Sequence, residues 1–287
     1  MIQINKAKLV MQSVQGKIHS PQGANPYRID REGVGHILPA TGGITYNVKI
    51  GDSCMEWIGD HVEPGVSIRN EDKMENNALM ILSCIGNEAR VVTGEAKGAK
   101  GYVTGMHGGI DHVLIHFKEE DMEKMAINDT ILIKAFGQGL AIEGLDDVKC
   151  MNIDPGLFEK LDIKINPEGY LEIPVKTEVP AYMMGSGIGG ATAYSGDYDI
   201  MTGDKDANRE FGINELKFGD LVLLRDCDNT YGRQYLKGAV SIGIVVHSDC
   251  IKSGHGPGIT VIMSSKKPII KAIINKEANI SNYLQIK

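Results

Sequence analysis

The stretch AVSIGIVVHSDCIKSGHGPGIT, residues 239–260, runs from apolar sequence directly into polar chemistry. Residues 239–246 are β-branched or small, which predicts a buried strand. Side chains alternate along a strand, so Ile242, Ile244 and Val246 share one face, and His247 and Asp249 leave together on the other. A glycine-rich turn follows, Ser253-Gly254-His255-Gly256-Pro257-Gly258, with a second histidine at its tip. Metal-ligating or acid–base groups at a strand end, beside a loop that lets a ligand approach the backbone, mark a candidate site.

Working outward, the 287 residues have room for two domains or one large one, with a core of ordinary size. Thirty-five glycines stand well above the typical ~7%. Spread among valine, isoleucine and threonine, they predict a mainly β chain of short strands and tight turns with a few short helices. A formal net charge of −7 argues against a nucleic-acid binder, since phosphate neutralisation needs a basic surface, and against adsorption to anionic lipid. No apolar run approaches the ~20 residues that span a bilayer. The opening MIQINKAKLVMQSVQG lacks a signal-peptide core. Cys54, Cys84, Cys150, Cys227 and Cys250 are odd in number and scattered, as expected of reduced thiols in a cytoplasmic protein. A homo-oligomer is the base-rate expectation.

Two β-barrel-like domains are expected, over 1–175 and 176–287. Strands are predicted near 8–14, 78–84, 89–93 and 112–117, a short helix between 69 and 77, and one or two helical turns over 121–126. Asp154-Pro155 starts a short helix over 155–160, an N-cap followed by proline. Residues 164–179 read as an extended connection and 267–287 as a terminal strand or arm. The phrase Ile127-Asn128-Asp129 before a strand recurs as Phe218-Gly219-Asp220, the turn chemistry of two similar halves. Glycines at 94, 98 and 101 resemble the KOW motif, which implies an SH3-like hairpin over 91–117. The acidic run Lys118-Glu119-Glu120-Asp121 that follows disfavours the RNA binding known for that motif.

The run Gly185-Ser186-Gly187-Ile188-Gly189-Gly190 lacks the following amphipathic helix of a dinucleotide fingerprint. It reads instead as a close-packing loop whose amides, at Gly187 and Gly189, are candidate donors to a substrate. Asp197-Tyr198-Asp199 puts two carboxylates on one strand face. Asp60-His61-Val62-Glu63 puts His61 and Glu63 on another, a metal or acid–base pair. His107, in the turn Met106-His107-Gly108-Gly109, and Gly256 are candidate substrate contacts. His112 and His116 lie about 13 Å apart by strand rise, too far to share an ion, and read as structural. His19 and His36 have no supporting context. No Gly-x-Ser-x-Gly elbow, HExxH or P-loop is present.

Gly42-Gly43-Ile44-Thr45-Tyr46-Asn47, Asp60-His61-Val62-Glu63-Pro64-Gly65, Gly196-Asp197-Tyr198-Asp199 and Gly254-His255-Gly256-Pro257-Gly258 resemble the domain-of-unknown-function 4438 family, which has an N-terminal and a C-terminal domain. The similarity implies that layout and no activity. A fainter similarity, carried by 197–199 and 241–256, is to acetamidases and formamidases; the turn here reads Val246-His247-Ser248-Asp249 where those enzymes have Gly-Asp-Gly-His. Two expectations follow. One is a metal-assisted hydrolase of an amide or related C–N bond in a small molecule. In it His61, Asp197, Asp199, His247 and His255 hold a divalent metal ion, and Glu63 or Asp249 accepts the proton of water. The other is a non-catalytic ligand-binding or assembly protein, whose histidines merely satisfy buried turns. Convergence of the histidines in one pocket discriminates between them.

Overall fold

The computed structural model describes residues 2–23, 27–187 and 192–286. The first half gives nine strands: β1 Gln12–Ile18, β2 Arg28–Ile29, β3 Gly35–His36, β4 Ile44–Thr45, β5 Gly65–Arg69, β6 Glu88–Val91, β7 Lys100–His107, β8 His112–His116 and β9 Thr130–Ala135. Six of them close into a ring in the order β1-β9-β6-β7-β8-β5, with β5 returning to β1 and β4 added on β5. Closure leaves no sheet edge within the ring. Val66, Ile68, Val103, Ile115, Ile131 and Ile133 are fully buried in the core.

Helix α1, Lys73–Leu82, packs on this barrel. The Asp72 carboxylate caps it, accepting from the amides of Met74 and Glu75. This corrects the strand expected over 78–84. An apolar run of that length fits either period, and here the cap upstream and the burial of Leu79 and Met80 on one helical face decide for the helix. Three further helices, α2 Glu119–Met122, α3 Pro155–Phe158 and α4 Lys205–Glu210, are short, and α5, Ile280–Leu284, ends the chain.

The remaining strands are β10 Lys149–Cys150, β11 Lys164–Ile165, β12 Leu171–Val175, β13 Thr177–Val179, β14 Met184–Gly187, β15 Tyr198–Ile200, β16 Leu221–Asp228, β17 Gln234–His247, β18 Gly258–Ser265 and β19 Ile270–Ile274. An open half-barrel runs β13-β16-β17-β18-β15-β14, with β10 also on β18. Strands β11, β12 and β19 make a small separate sheet. Residues 164–179 are therefore not a bare connection: β12 pairs in parallel with β19, and β13 with β16. Long-range pairing of that kind leaves no local signature.

Barrel and half-barrel meet through β7. The Thr260 hydroxyl on β18 donates to the Met106 carbonyl at 3.0 Å and accepts from the Met106 amide at 3.3 Å. Gly105 lies so close to Val246 that any side chain there would collide with it. The C-terminal ends of β7 and β17, which carry His107 and His247, are thereby brought side by side. Strands β2 and β3 pair only with each other, as a hairpin tied down by the Arg31 amide to the Ile251 carbonyl. Among the described residues no helix is long and apolar enough to cross a membrane.

Candidate metal centre

Three neighbouring strands of the half-barrel build one wall. Register sets Gly258 of β18 opposite both His247 of β17 and Asp199 of β15. A Cβ on Gly258 would run into His247 Nε2 and Asp197 Oδ2, so the missing side chain makes the space in which these groups face each other. Asp197 Oδ1 accepts the Gly108 amide at 2.7 Å, which ties this wall to the turn after β7.

The opposite wall comes from the barrel. His107 Nδ1 lies 2.5 Å from Glu63 Oε1, and His112 Nδ1 lies 2.9 Å from Glu63 Oε2. The Ser67 hydroxyl donates to the same carboxylate at 2.5 Å. Glu63 is fully buried, and burial alone would favour its neutral acid. The charge of His112 and the hydrogen bonds from both imidazoles reverse this and hold its pKa well below the usual carboxylate range. His112 Nε2 continues the chain to His19 Nδ1 at 3.3 Å.

His61 enters between the walls. Its φ of +54° is left-handed, an uncommon state for a residue with a Cβ and one that is held only where the surroundings demand it. Its ring lies 5.6 Å from that of His107, 5.0 Å from that of His247 and 5.2 Å from that of His255. Nδ1 of His61 is 3.3 Å from Asp60 Oδ1, and that oxygen also receives the Cys250 thiol at 2.8 Å. Arg28 faces the other oxygen of Asp60 at 3.1 Å. Burial opposes a charge on His61, but hydrogen bonding to Asp199 and Asp60 outweighs it and raises the pKa. Burial, then the bond to Asp60, pushes the Cys250 thiol up, so it stays a protonated donor.

His247 decides what the cluster requires. Its Nδ1 lies 2.9 Å from the Ser248 carbonyl, which only accepts, so Nδ1 carries a hydrogen. In the neutral ring Nε2 is then a lone pair, and it points among carboxylates: Asp197 Oδ2 at 2.7 Å and Asp199 Oδ1 at 3.5 Å. Nε2 is buried and has no aligned hydrogen-bond partner. Burial would lower the His247 pKa, yet the Asp197 and Asp199 charges raise it well above the ordinary histidine value. The site therefore calls for a positive charge at this point, either a proton or a metal ion.

The donors suit a metal. His61, His107 and His247 each offer an atom within 4.8 Å of the others, as do Asp197, Asp199 and His247. Two ligands on one zinc can be no further apart than about 4.2 Å, so a small side-chain rotation closes either set. Each of the three imidazoles also has its Nδ1 beside an outer acceptor: Asp60, Glu63 or the Ser248 carbonyl. Metal-ligating histidines are oriented in this way.

The residues singled out in the sequence fall into three groups. His61, His107, Asp197, Asp199, His247 and His255 are gathered together, His255 Nδ1 lying 2.8 Å from Asp199 Oδ2 and 3.3 Å from His61 Nε2. Glu63 lies behind His107, and Asp249 accepts from the Thr202 hydroxyl at 2.6 Å and the Cys250 amide at 2.7 Å. Gly187, at φ +112°, packs on the Tyr198 backbone, and Gly256 on the Ile200 carbonyl, both as close backbone approaches. Gly189 lies outside the described residues.

A model of the domain of unknown function DUF4438, N-terminal, matches residues 27–159, and its C-terminal counterpart matches 160–284. The chain belongs to the DUF4438 family. No curated protein matches it. A solved structure described as "Crystal structure of TM1086" is similar at 51% sequence identity and a TM-score of 0.94, over 98% of this chain and 99% of that one. In this DUF4438 chain the candidate site also takes in His112, Ser67, Asp60 and Gly258, to which the sequence pattern assigns no site role. His112 had a signal: His107 and His112 flank the turn Gly108-Gly109, and such a hairpin sets them directly opposite.

Proposed function

We propose that the protein is a metal-dependent hydrolase acting on an amide or related C–N bond of a small molecule. The buried Nε2 of His247, set among carboxylates at a point that calls for a proton or a metal ion, carries this reading. His61, His107 and His247, with Asp197 or Asp199, would hold a divalent ion. A set of imidazoles and carboxylates suits zinc above softer or larger ions. When bound, such an ion supplies a water of lowered pKa and polarises a carbonyl.

The chain's own groups divide the remaining work. Glu63, Asp60 and the Ser248 carbonyl fix the rings, and the full engagement of Glu63 and Asp249 suits them to positioning. His255 is the most open of the cluster, its side chain 27% exposed, and Asp199 holds its Nδ1. That pair would exchange protons with solvent and protonate a departing nitrogen. In the reaction the oxygen of water joins the carbonyl carbon, the C–N bond breaks, and the nitrogen leaves as an amine.

Metal analysis of the purified protein, followed by EDTA stripping and zinc reloading, tests the reading. About one or two ions per chain are expected, with amine or ammonia release from small amides lost on stripping and restored on reloading. Full metal occupancy in a folded His247→Ala variant would overturn the assignment. Metal binding without turnover of any amide would leave a non-catalytic metal protein.

A further inference from the structure

Beside the cluster, Arg31 at the turn of the β2–β3 hairpin is half-buried, yet no ion pair joins it to a carboxylate among the described residues. Its neighbour Arg28 differs, facing Asp60 Oδ2. One Nη of Arg31 donates to the Thr202 hydroxyl at 3.1 Å and the Cys250 carbonyl at 2.8 Å, both neutral acceptors. These bonds hold the guanidinium in place, and Asp249 is linked to it through the Thr202 hydroxyl, which donates to that carboxylate at 2.6 Å. A held, half-buried arginine with donors to spare suits an oxyanion, which the planar guanidinium receives in two parallel hydrogen bonds.

Arg31 lines two clefts. One, of about 250 Å3, also contains Asp30 and Asp249, whose charges disfavour an anion. The other, of about 340 Å3, is lined by Tyr182, Met183, Met201 and Ala207 and runs to Ser253 and Gly254, the chain neighbours of His255. It holds a single carboxylate, fewer than the first cleft, that of Asp204, whose Oδ1 accepts from the amides of Asp206 and Ala207 as the cap of α4. This cleft therefore has a cation at one side, largely apolar walls, and at its far side Ser253 and Gly254, the residues that lead into His255.

We infer that Arg31 anchors the carboxylate of a small substrate in this second cleft, directing an amide-bearing end towards His255. The inference rests on the reading of the cluster as a hydrolytic centre and names its substrate class: carboxylate-bearing amides of the N-acyl amino acid kind. The volume, near the lower end of ligand sites, sets the size.

Calorimetric titration with N-acetylglycine and N-acetylglycinamide tests the anchor without requiring turnover, on both metal-loaded and EDTA-treated protein. The wild type should bind the carboxylate at least about tenfold more tightly than the amide, the scale of one charge-assisted pair. Arg31→Gln should abolish that preference with metal content and melting temperature unchanged, and Arg31→Lys should keep part of it. Equal affinity for the two probes, no binding of either at millimolar concentration, or an undiminished preference in Arg31→Gln would overturn the anchor. Those results leave the metal analysis untouched, so the two readings fail separately.

Discussion

The two ends of the β7–β8 hairpin hold the same residue type in opposite conditions. At one end His107 and His112 share the buried carboxylate of Glu63. At the other, buried His116 faces Lys49, and burial first, then that charge, pushes its pKa down to about 4. One carboxylate in the core thus separates imidazoles oriented by an acceptor from one beside a lysine, although burial first, then the charge of His247, lowers the pKa of His107 too. Burial alone gives a histidine no function; burial beside a fixed acceptor gives it a direction.

Breaking the first end should have the largest effect. Glu63→Gln leaves His107 and His112 without their counter-charge, and a broken buried pair costs about 3–5 kcal/mol. Loss of an outer partner also weakens metal binding by about 10–100-fold. Denaturant unfolding and competitive zinc titration measure both. Unchanged zinc affinity in the folded variant would separate Glu63 from the centre.

The second end predicts a pH dependence. With its folded pKa depressed, His116 stays neutral in the native state, while the unfolded chain takes up a proton as pH falls through about 6.5. More protons on the unfolded state mean stability lost with acidification, from about pH 6.5 down to 4, on the order of 3 kcal/mol in total. Stability curves of His116→Gln should be flatter than wild type across that window, and parallel curves would refute the assignment. The smallest effect belongs to a site away from both ends. Asp154→Ala removes the cap of α3, where the amides of Gly156 and Leu157 donate to the carboxylate, together with the bond from buried Asn87, for about 2 kcal/mol. Zinc affinity should not change, and a change would mean that the centre senses global stability.

Local chemistry was legible where a signal sat within a few residues. The buried strand that ends at His247, the turn before β16 and the α3 cap with its proline were all readable in this way. The histidines and aspartates of the candidate centre stand out one by one in the sequence as polar groups near strand ends and turns. What brings them together was not legible. The pairing of Gly258 on β18 with Asp199 on β15, and the Met106–Thr260 contact between the sheets, 154 positions apart, join distant parts of the chain, and no local pattern records such pairing. The spacing of Glu63 shows a face and not a partner, and that of His112 and His116 shows only their separation along one strand.

His61 carries one more implication. Its left-handed backbone is a conformation that glycine or asparagine adopts at less cost. Anyone redesigning this protein for heat resistance would be drawn to substitute there, and the gain in backbone comfort would come by deleting the imidazole that bridges the two walls. Durability and chemistry compete at that single position.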